Sequence, residues 1–474
     1  MSKLYTWAKG GIVLSKFHSG VEKERLKSII ECDAARIHFV GALGAGMRPL
    51  IELSRKMGHT VSGSDREGGA EYERLVRDGC RLSTSHKREN AIGADLVVYT
   101  LAAEENNPEI LYAEENRIPT ASRAEYLGAL MEKYKVRIGV SGSHGKSTTS
   151  AMIDKILDTA NLFPTTVIGA NLSDTGTPLR IGENEYFVYE ACEYKDSFLC
   201  FSPTYAVFSN LELEHVDYFE NLEKIKTSFS KAMNKSETAF LNIDDENLAS
   251  LIPYATCEVI TFGESERADY QGEFKQKKDG KYYIKIRHGG REICEIKLSV
   301  IGKHNAKNAL AAATVALHIG IPQNTVRLAL ESFVGIERRL EVIGERGVAC
   351  VYYDYAHHPT EIKSAIEAVR SVTGGKIAVI FKPHTYSRTS YFLEEFISAL
   401  SLADRIYLCE ISAIREKMRD GVSSEKIVQA LIDKAELLEE EKNIGKILDS
   451  EDFSAIIIMG AANLDCVRKS ILTN

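Results

Sequence analysis

Residues 136–157 read VRIGVSGSHGKSTTSAMIDKIL. An apolar run runs into a glycine turn, and the turn opens a helix-forming stretch. This is the context a phosphate-binding loop needs. Gly142 and Gly145 free the backbone amides to turn toward an anion, with Ser143 and His144 between them. Lys146 supplies a point charge for the β- and γ-phosphates. The hydroxyl of Ser147 or Thr148 suits Mg²⁺, and the helix N-terminus adds a favourable dipole. The strict G-x-x-x-x-G-K-[ST] spacing is not met, because Val140 stands where its first glycine would be; the shorter G-x-x-G-K-S is present.

Upstream, the strand RIHFV (36–40) runs into a second glycine loop, Gly41-Ala-Leu-Gly44-Ala45-Gly46-Met47. A helix is expected from about Arg48 to Met57 and a strand ending at Asp65, 19 residues beyond Gly46. An acid there suits a ribose, and the loop suits a diphosphate. The spacing is G-x-x-G-x-G, not the G-x-G-x-x-G of a dinucleotide site, which argues against an NAD-dependent dehydrogenase. Strands at 94–100 and 118–122 complete a parallel α/β block ending near Tyr134.

Downstream, the strands EYFVYEA (185–191) and TYAVFSNL (204–211) carry Glu190 and, just past the second, His215. A carboxylate and an imidazole flanking a phosphate loop are candidates for a magnesium site, although histidine is an unusual ligand for a hard cation. Residues 269–300 alternate as antiparallel hairpins, and an alanine-rich helix follows, closing near Gly320. A third α/β unit begins near Gly335. It carries Tyr355, His357-His358-Pro359 and KPHTYSRT with His384 and Arg388. Arg388 offers a planar fork for a carboxylate. No H-E-x-x-H supports zinc at these histidines. The acidic run Glu436–Lys442 reads as a solvated helix surface.

The 474 residues fit several domains, here three: 1–134 (with a leader, 1–35), 135–334 and 335–474. Apolar residues make up 44% and charged residues 27%, the balance of a globular protein. A net charge of −8 argues against a general nucleic-acid binder. Nine cysteines without a C-x-x-C pair read as reduced thiols in a cytoplasmic protein. No apolar run is long enough to insert in a membrane. The leader, with the only tryptophan, Trp7, lacks the apolar core of a secretory signal.

In order, IHFVGALGAGM, VSGSD, NNPEI, RAEYL, SGSHGKSTTSAM, EACEYKDSFL, NLELEHVDYF, GKHNAKNALAAATVA, GIERRLEVIG, DYAHHPTEI, FKPHTYSRT and EISAIREKMRDGVSS run from Ile37 to Ser424, within a resemblance that covers about residues 36–466. This ordered set resembles the Mur ligase family. The resemblance implies a Rossmann-like N-terminal domain, a central P-loop ATPase domain and a Rossmann-like C-terminal domain. It implies ATP and Mg²⁺, and as substrates UDP-N-acetylmuramate and L-alanine, in a monomer or homodimer. By the same resemblance Gly44, Ala45, Gly46, Met47, Asp65 and His86 meet the UDP-substrate. Residues Gly142–Thr148, with Asn305, Asn308, Arg339 and Asp354, meet ATP. Ser147, Glu190 and His215 hold the metal, with Lys146, Glu190 and His215 catalytic. Tyr355, His357, His384 and Arg388 form the amino-acid pocket. Three departures stand out. The family's usual E-A-D-E-S-D is Glu190-Ala191-Cys192-Glu193-Tyr194-Lys195, its E-A-D-H is Glu212-Leu213-Glu214-His215, and Arg48-Pro49 follow the first loop. Cys192 reads as a small buried replacement. The changed residues open two alternatives, a paralogous ligase with another acceptor or amino acid, and a nucleotide-binding regulator without turnover.

Overall fold

The computed structural model describes residues 22–104, 106–412, 416, 418, 421–449 and 451–472. Most of the leader, with Trp7, and six residues of the EISAIREKMRDGVSS motif lie outside the described residues. The described part of the leader forms a helix, Lys23–Glu31, that buries Leu26 and Ile30. The chain divides into two compact units, Met1–Leu130 and Met131–Asn474. The central and C-terminal sheets share the second unit.

The first unit is a five-stranded parallel sheet in the order Arg81–Ser83, Thr60–Ser64, Arg36–Val40, Leu96–Tyr99, Thr120–Ser122. Its inner strand Leu96–Tyr99 is buried at every position. This is the signature of a parallel sheet with both faces covered, and it is why the strand reads as a continuous apolar run instead of an alternating one. The expected strand ending at Asp65 stops at Ser64, so Asp65 stands first in the loop beyond it.

The second unit begins with a ten-stranded sheet. The strand Val136–Ser141 lies between Tyr186–Glu190 and Tyr205–Phe208, parallel to both, with Val140 opposite Glu190 and Ser141 opposite Phe208. The later strands flank it on both sides, Tyr186–Glu190 on one and Tyr205–Phe208 on the other, so the strand order switches here, where a crevice forms at the carboxyl ends. Residues 270–301 form the expected antiparallel hairpins, Tyr270–Gln276, Lys281–His288 and Arg291–Ile301. They alternate, burying Ile284, Ile286, Ile296 and Leu298 against the alanine-rich helix Lys303–His318. Its small side chains let that helix pack closely against the helix Lys146–Thr159.

The last sheet runs Glu341–Arg346, Ala349–Asp354, Ala455–Met459, Ile377–Phe381, Arg405–Leu408, Ala435–Leu437, antiparallel only at the first pair. Ile377–Phe381 and Ala455–Met459 are wholly buried; each large aliphatic there contributes about 1.5–3 kcal/mol of burial. The acidic run corrects its reading. Glu436 lies on the edge strand Ala435–Leu437, and a single 3₁₀ turn, Glu441–Asn443, follows. Charged side chains on an edge strand deter strand addition, and Glu441 pairs with Lys382 at 2.6 Å. No helix among the described residues is long and apolar enough to cross a membrane.

Candidate active site

The phosphate-type loop is built by its two glycines and stapled by its neighbours. Gly145 has φ +80°, and a Cβ there would strike the Asn308 side chain. Gly142, also at positive φ, abuts the Ser209 hydroxyl. The amide of His144 donates to Asn210 Oδ1 at 2.8 Å, and Ser143 Oγ donates to the Glu212 carbonyl at 3.1 Å. The loop is therefore fixed to the end of the neighbouring strand Tyr205–Phe208, with Lys146, Ser147 and Thr148 opening the helix.

Lys146 does not point into solvent. Its Nζ donates to the Gly142 and Ser143 carbonyls and to both oxygens of Glu193, at 3.2 and 3.1 Å. Glu193 is fully buried. Burial penalises both charges, but each stabilises the other. The lysine is held above its ordinary value and the acid below its own. His215, at φ +53°, places Nε2 3.5 Å from the same carboxylate. Its pKa rises to about 10 despite burial, through Cys192, Glu193 and Glu214. Cys192 is half-buried beside His215, not the small buried replacement expected. Glu190 stands at the end of its strand and accepts from the amide of Gly169 at 2.6 Å, leaving its second oxygen available. The Ser147 hydroxyl and that oxygen are hard donors and suit magnesium. His215, tied to Glu193, suits it less. Lys146, Glu193 and His215 are thus gathered directly, and Glu193 is the residue the sequence reading left out of the site.

Beyond the loop lies a cavity of about 400 Å³ lined by His144, Thr148, Asn305, Asn308, Arg339 and Asp354, among others. Asn305 Nδ2 donates to the Ile301 carbonyl at 2.8 Å, which sets its side-chain oxygen toward Asn308. Asp354 accepts from the amides of Leu340 and Ala356, both at 2.7 Å. Burial pushes it up to about 6, against the pull of Arg339. All the residues expected to meet ATP border this one space or its loop.

Tyr355, His357, His384 and Arg388 also converge. The rings of Tyr355 and His357 are 5.2 Å apart, those of His357 and His384 5.7 Å, and Arg388 Nη1 lies 3.5 Å from His384 Nδ1. The Arg388 fork, expected to be open, is engaged: Nη2 donates to Glu214 at 2.6 and 3.0 Å. Both residues are over nine-tenths buried, and Arg388 holds the Glu214 carboxyl far below its usual range against its burial. Glu361, inside the DYAHHPTEI motif but given no role from sequence, sits at the N3 position of the helix Pro359–Arg370, whose cap is His358. Its carboxylate reaches His357, His144 and, at 3.8 Å, Arg339.

In the first unit, Asp65 is spent on the loop itself: Oδ2 accepts from the Leu43 amide at 2.8 Å and Oδ1 from Arg66. The ladder of amides through Gly44 and Met47 shapes the rest. Arg123, the first residue of the RAEYL motif but given no role from sequence, lies over Gly46, where a Cβ would come within 3.1 Å of it. Behind the loop, His86 Nδ1 contacts Ser64 Oγ at 2.9 Å and Glu109 at 3.1 Å. Glu109 is fully buried; Ser64 and Asn90 donate to it, both at 2.6 Å, and His38 lies close by. These partners overcome burial and bring it down to about 2.

Three family descriptions match the chain. Residues 36–135 match the catalytic domain of the Mur ligase family, 140–316 the Mur ligase middle domain, and 338–467 the Mur ligase glutamate ligase domain. The UDP-N-acetylmuramate–L-alanine ligase of Caldanaerobacter subterraneus subsp. tengcongensis is 37% identical over 446 residues, 92% of this chain and 97% of its own. That of Caldicellulosiruptor bescii is 39% identical, covering 82% and 86%. Among solved structures, the UDP-N-acetylmuramate-alanine ligase MurC of Thermotoga maritima is similar with a TM-score of 0.78 and 28% identity, over 92% of this chain and 98% of that one. A murein peptide ligase of Psychrobacter arcticus shares the fold at a TM-score of 0.69. The three descriptions match in chain order, one over each sheet, and the relatives match across nearly the whole length: the chain belongs to the Mur ligase family.

Proposed function

We propose that this protein is an ATP-dependent ligase that joins L-alanine to UDP-N-acetylmuramate in peptidoglycan precursor synthesis, releasing ADP and phosphate. The observation that carries the reading is the convergence, in one unit, of a lysine-bearing phosphate loop, a nucleotide-sized cavity and a separate Tyr–His–His–Arg cluster. The relatives named for this reaction match nearly the whole chain. A free-thiol complement of nine cysteines agrees with a cytoplasmic protein.

A carboxylate is a poor electrophile. Its attack on the γ-phosphorus of ATP expels ADP and gives an acyl phosphate; the amine then attacks the acyl carbon through a tetrahedral intermediate, and phosphate leaves. Lys146 stands at the loop to offset charge on the moving phosphoryl group. It can turn from Glu193 to that group, while Glu193 and His215 keep the vacated pocket charge-balanced. Ser147 and Glu190 would hold Mg²⁺, which when bound neutralises charge on the phosphate oxygens. The main-chain amides of Gly142–Lys146 cradle the β-phosphate. Asn305, Asn308, Arg339 and Asp354 border the space for the rest of the nucleotide. Arg388 would take the amino acid's carboxylate by sharing or exchanging its fork with Glu214, which prevents a bare buried cation when the pocket is empty. His357 is placed between Tyr355 and Glu361 to hold a proton released from the incoming amine. In the first unit, the loop Gly44–Met47 with Asp65, His86 and Arg123 would hold the UDP-sugar.

The test is phosphate release from ATP, Mg²⁺ and UDP-N-acetylmuramate across a panel of amino acids, with mass spectrometry of the product. Release that needs both the UDP-sugar and L-alanine is expected. Release with a different amino acid or peptide would replace this reading with that of a paralogous ligase.

A further inference from the structure

We propose that His144, Glu212 and His358 form a binding site for a borderline transition-metal cation of the Zn²⁺ class, at the seam between the phosphate loop and the C-terminal sheet's first helix. His144 comes from the loop, Glu212 from the segment after the strand Tyr205–Phe208, and His358 from the cap of the helix Pro359–Arg370. One ligand atom from each lies within 4.8 Å of the others. His144 Nε2 is 3.5 Å from Glu212 Oε2, and His358 Nδ1 is 3.9 Å from the same oxygen. Zinc–ligand bonds of about 2.0–2.1 Å in a tetrahedron put neighbouring ligand atoms roughly 3.3 Å apart. The two Glu212 separations need a few tenths of an ångström of closure, and the His144–His358 separation, within 4.8 Å, up to about 1.5 Å.

The donors themselves point to a ligand. His144 Nε2, the atom that faces Glu212, is buried and has no hydrogen-bond partner among the described residues; His358 Nε2 is likewise unpartnered, while its Nδ1 accepts the Thr360 amide at 3.4 Å and would exchange that bond for the ion. His358 is 4% exposed, and a buried polar atom without a partner is costly. His144 Nδ1 faces Glu361 Oε1 at 3.2 Å. With Glu361 holding the Nδ1–H, an ion would take the place of the Nε2 proton, the arrangement that orients zinc-bound histidines. Two imidazoles and one carboxylate suit zinc better than magnesium, which separates this set from the oxygen donors of Ser147 and Glu190. Glu212 also accepts from Thr360 Oγ1 at 2.8 Å, fixing its orientation from the C-terminal side. His144 and Glu212 also line the 400 Å³ cavity.

Such an ion would tie the loop to the C-terminal sheet's helix and hold the two sheets together across the cavity. That consequence for turnover rests on the ligase reading, whereas the binding site stands without it. The competing arrangement for the same side chains is a proton on His144 shared between Glu212 and Glu361.

The experiment titrates Zn²⁺ into metal-stripped full-length protein in excess Mg²⁺ by calorimetry. One Zn²⁺ per chain is expected, and Co²⁺ in its place should give the visible absorption of a four-coordinate site. His358→Asn keeps a side chain able to cap the helix. It and Glu212→Gln should each weaken Zn²⁺ binding at least about tenfold, the size of effect seen when a metal's supporting shell is altered. His215→Gln should leave it unchanged. Zn²⁺ should slow ADP release in the wild type, and His358→Asn should be correspondingly less sensitive. No stoichiometric Zn²⁺, or binding abolished by His215→Gln but unmoved by the other two, would overturn the site in favour of the shared proton. If His358→Asn fails to fold, Glu212→Gln and the wild-type Co²⁺ spectrum decide. Zn²⁺ binding that obeys these variants in a protein showing no ligase turnover would sink the ligase reading and leave the site standing.

Discussion

Arg388 answers two demands at once, and they can be separated. With Glu214 it forms an ion pair that is nearly free of solvent. Removing one partner of such a pair strands the other charge, at a cost of about 3–5 kcal/mol. Arg388→Ala should therefore lower the melting temperature sharply and raise the amino-acid KM far more than the ATP KM. Arg388→Ala with Glu214→Gln should recover most of the stability without recovering the KM. Steady-state kinetics and thermal melts of the single and double variants check this; equal effects on both KM values would remove Arg388 from amino-acid recognition. Lys146→Ala tests the loop in the same way. A single donor to developing charge is worth about 10²–10³ in rate, so ADP release should fall by at least that much. Affinity for the UDP-sugar, measured by calorimetry, should not change, because the loop Gly44–Met47 belongs to a separate compact unit. Persistent turnover would refute the assignment of the loop.

At the scale of elements, the turn of the phosphate loop is set by Gly145. An alanine there meets a left-handed backbone, which costs roughly 1–2 kcal/mol, and collides with Asn308. Gly145→Ala should raise the ATP KM by tenfold or more and leave far-UV circular dichroism unchanged; an unaltered ATP KM would mean that the loop does not close on phosphate. The turn was legible in sequence because strand, glycine spacing, lysine and helix follow one another without interruption. The same holds for Asn305, Asn308, Arg388 and the histidines, each inside a motif. Glu193, Glu361 and Arg123 also stand inside motifs, yet were not legible as partners. Their roles depend on contacts across the fold, Glu193 to Lys146 over 47 positions and Glu361 to His144 over 217, and no periodicity encodes such distances. Glu361 did carry one local signal: it stands three residues after His358, where a capping acid belongs. The acidic run at Glu436 misled because charge alone does not distinguish a helix surface from an edge strand. Short strands such as Thr165–Val167 and Arg81–Ser83 passed unread because three residues give too little pattern.

At the scale of the molecule, the seam between the central and C-terminal sheets is electrostatic, and its pH response follows from the signs. His144 sits between Glu212 and Glu361, with the ring of His358 4.8 Å away. Burial works against its charge, but the two carboxylates win and raise its pKa to about 9. Both acids are held below their ordinary values, Glu212 chiefly by His144 and Glu361 by His357 and His144, against their own burial. A histidine with a raised folded pKa contributes stability that is complete below the unfolded value near 6.5 and is lost as pH climbs through 9. His215, raised to about 10, acts in the same direction. The depressed carboxylates have the opposite sign: their contribution is present above about 4.5 and disappears in acid. Stability of the second unit should therefore fall on both sides of neutrality. In metal-free protein, thermal melts should show a decline from pH 7 to 10 that is shallower in His144→Gln, and shallower again when His215→Gln is added. Lost attraction across the seam should also open the unit, so limited proteolysis of the linker near Gly335 should be faster at pH 10 than at pH 7. A melting temperature flat over that range in the wild type would show that His144 is not held charged between the two acids, and the seam would then have to be closed by packing alone.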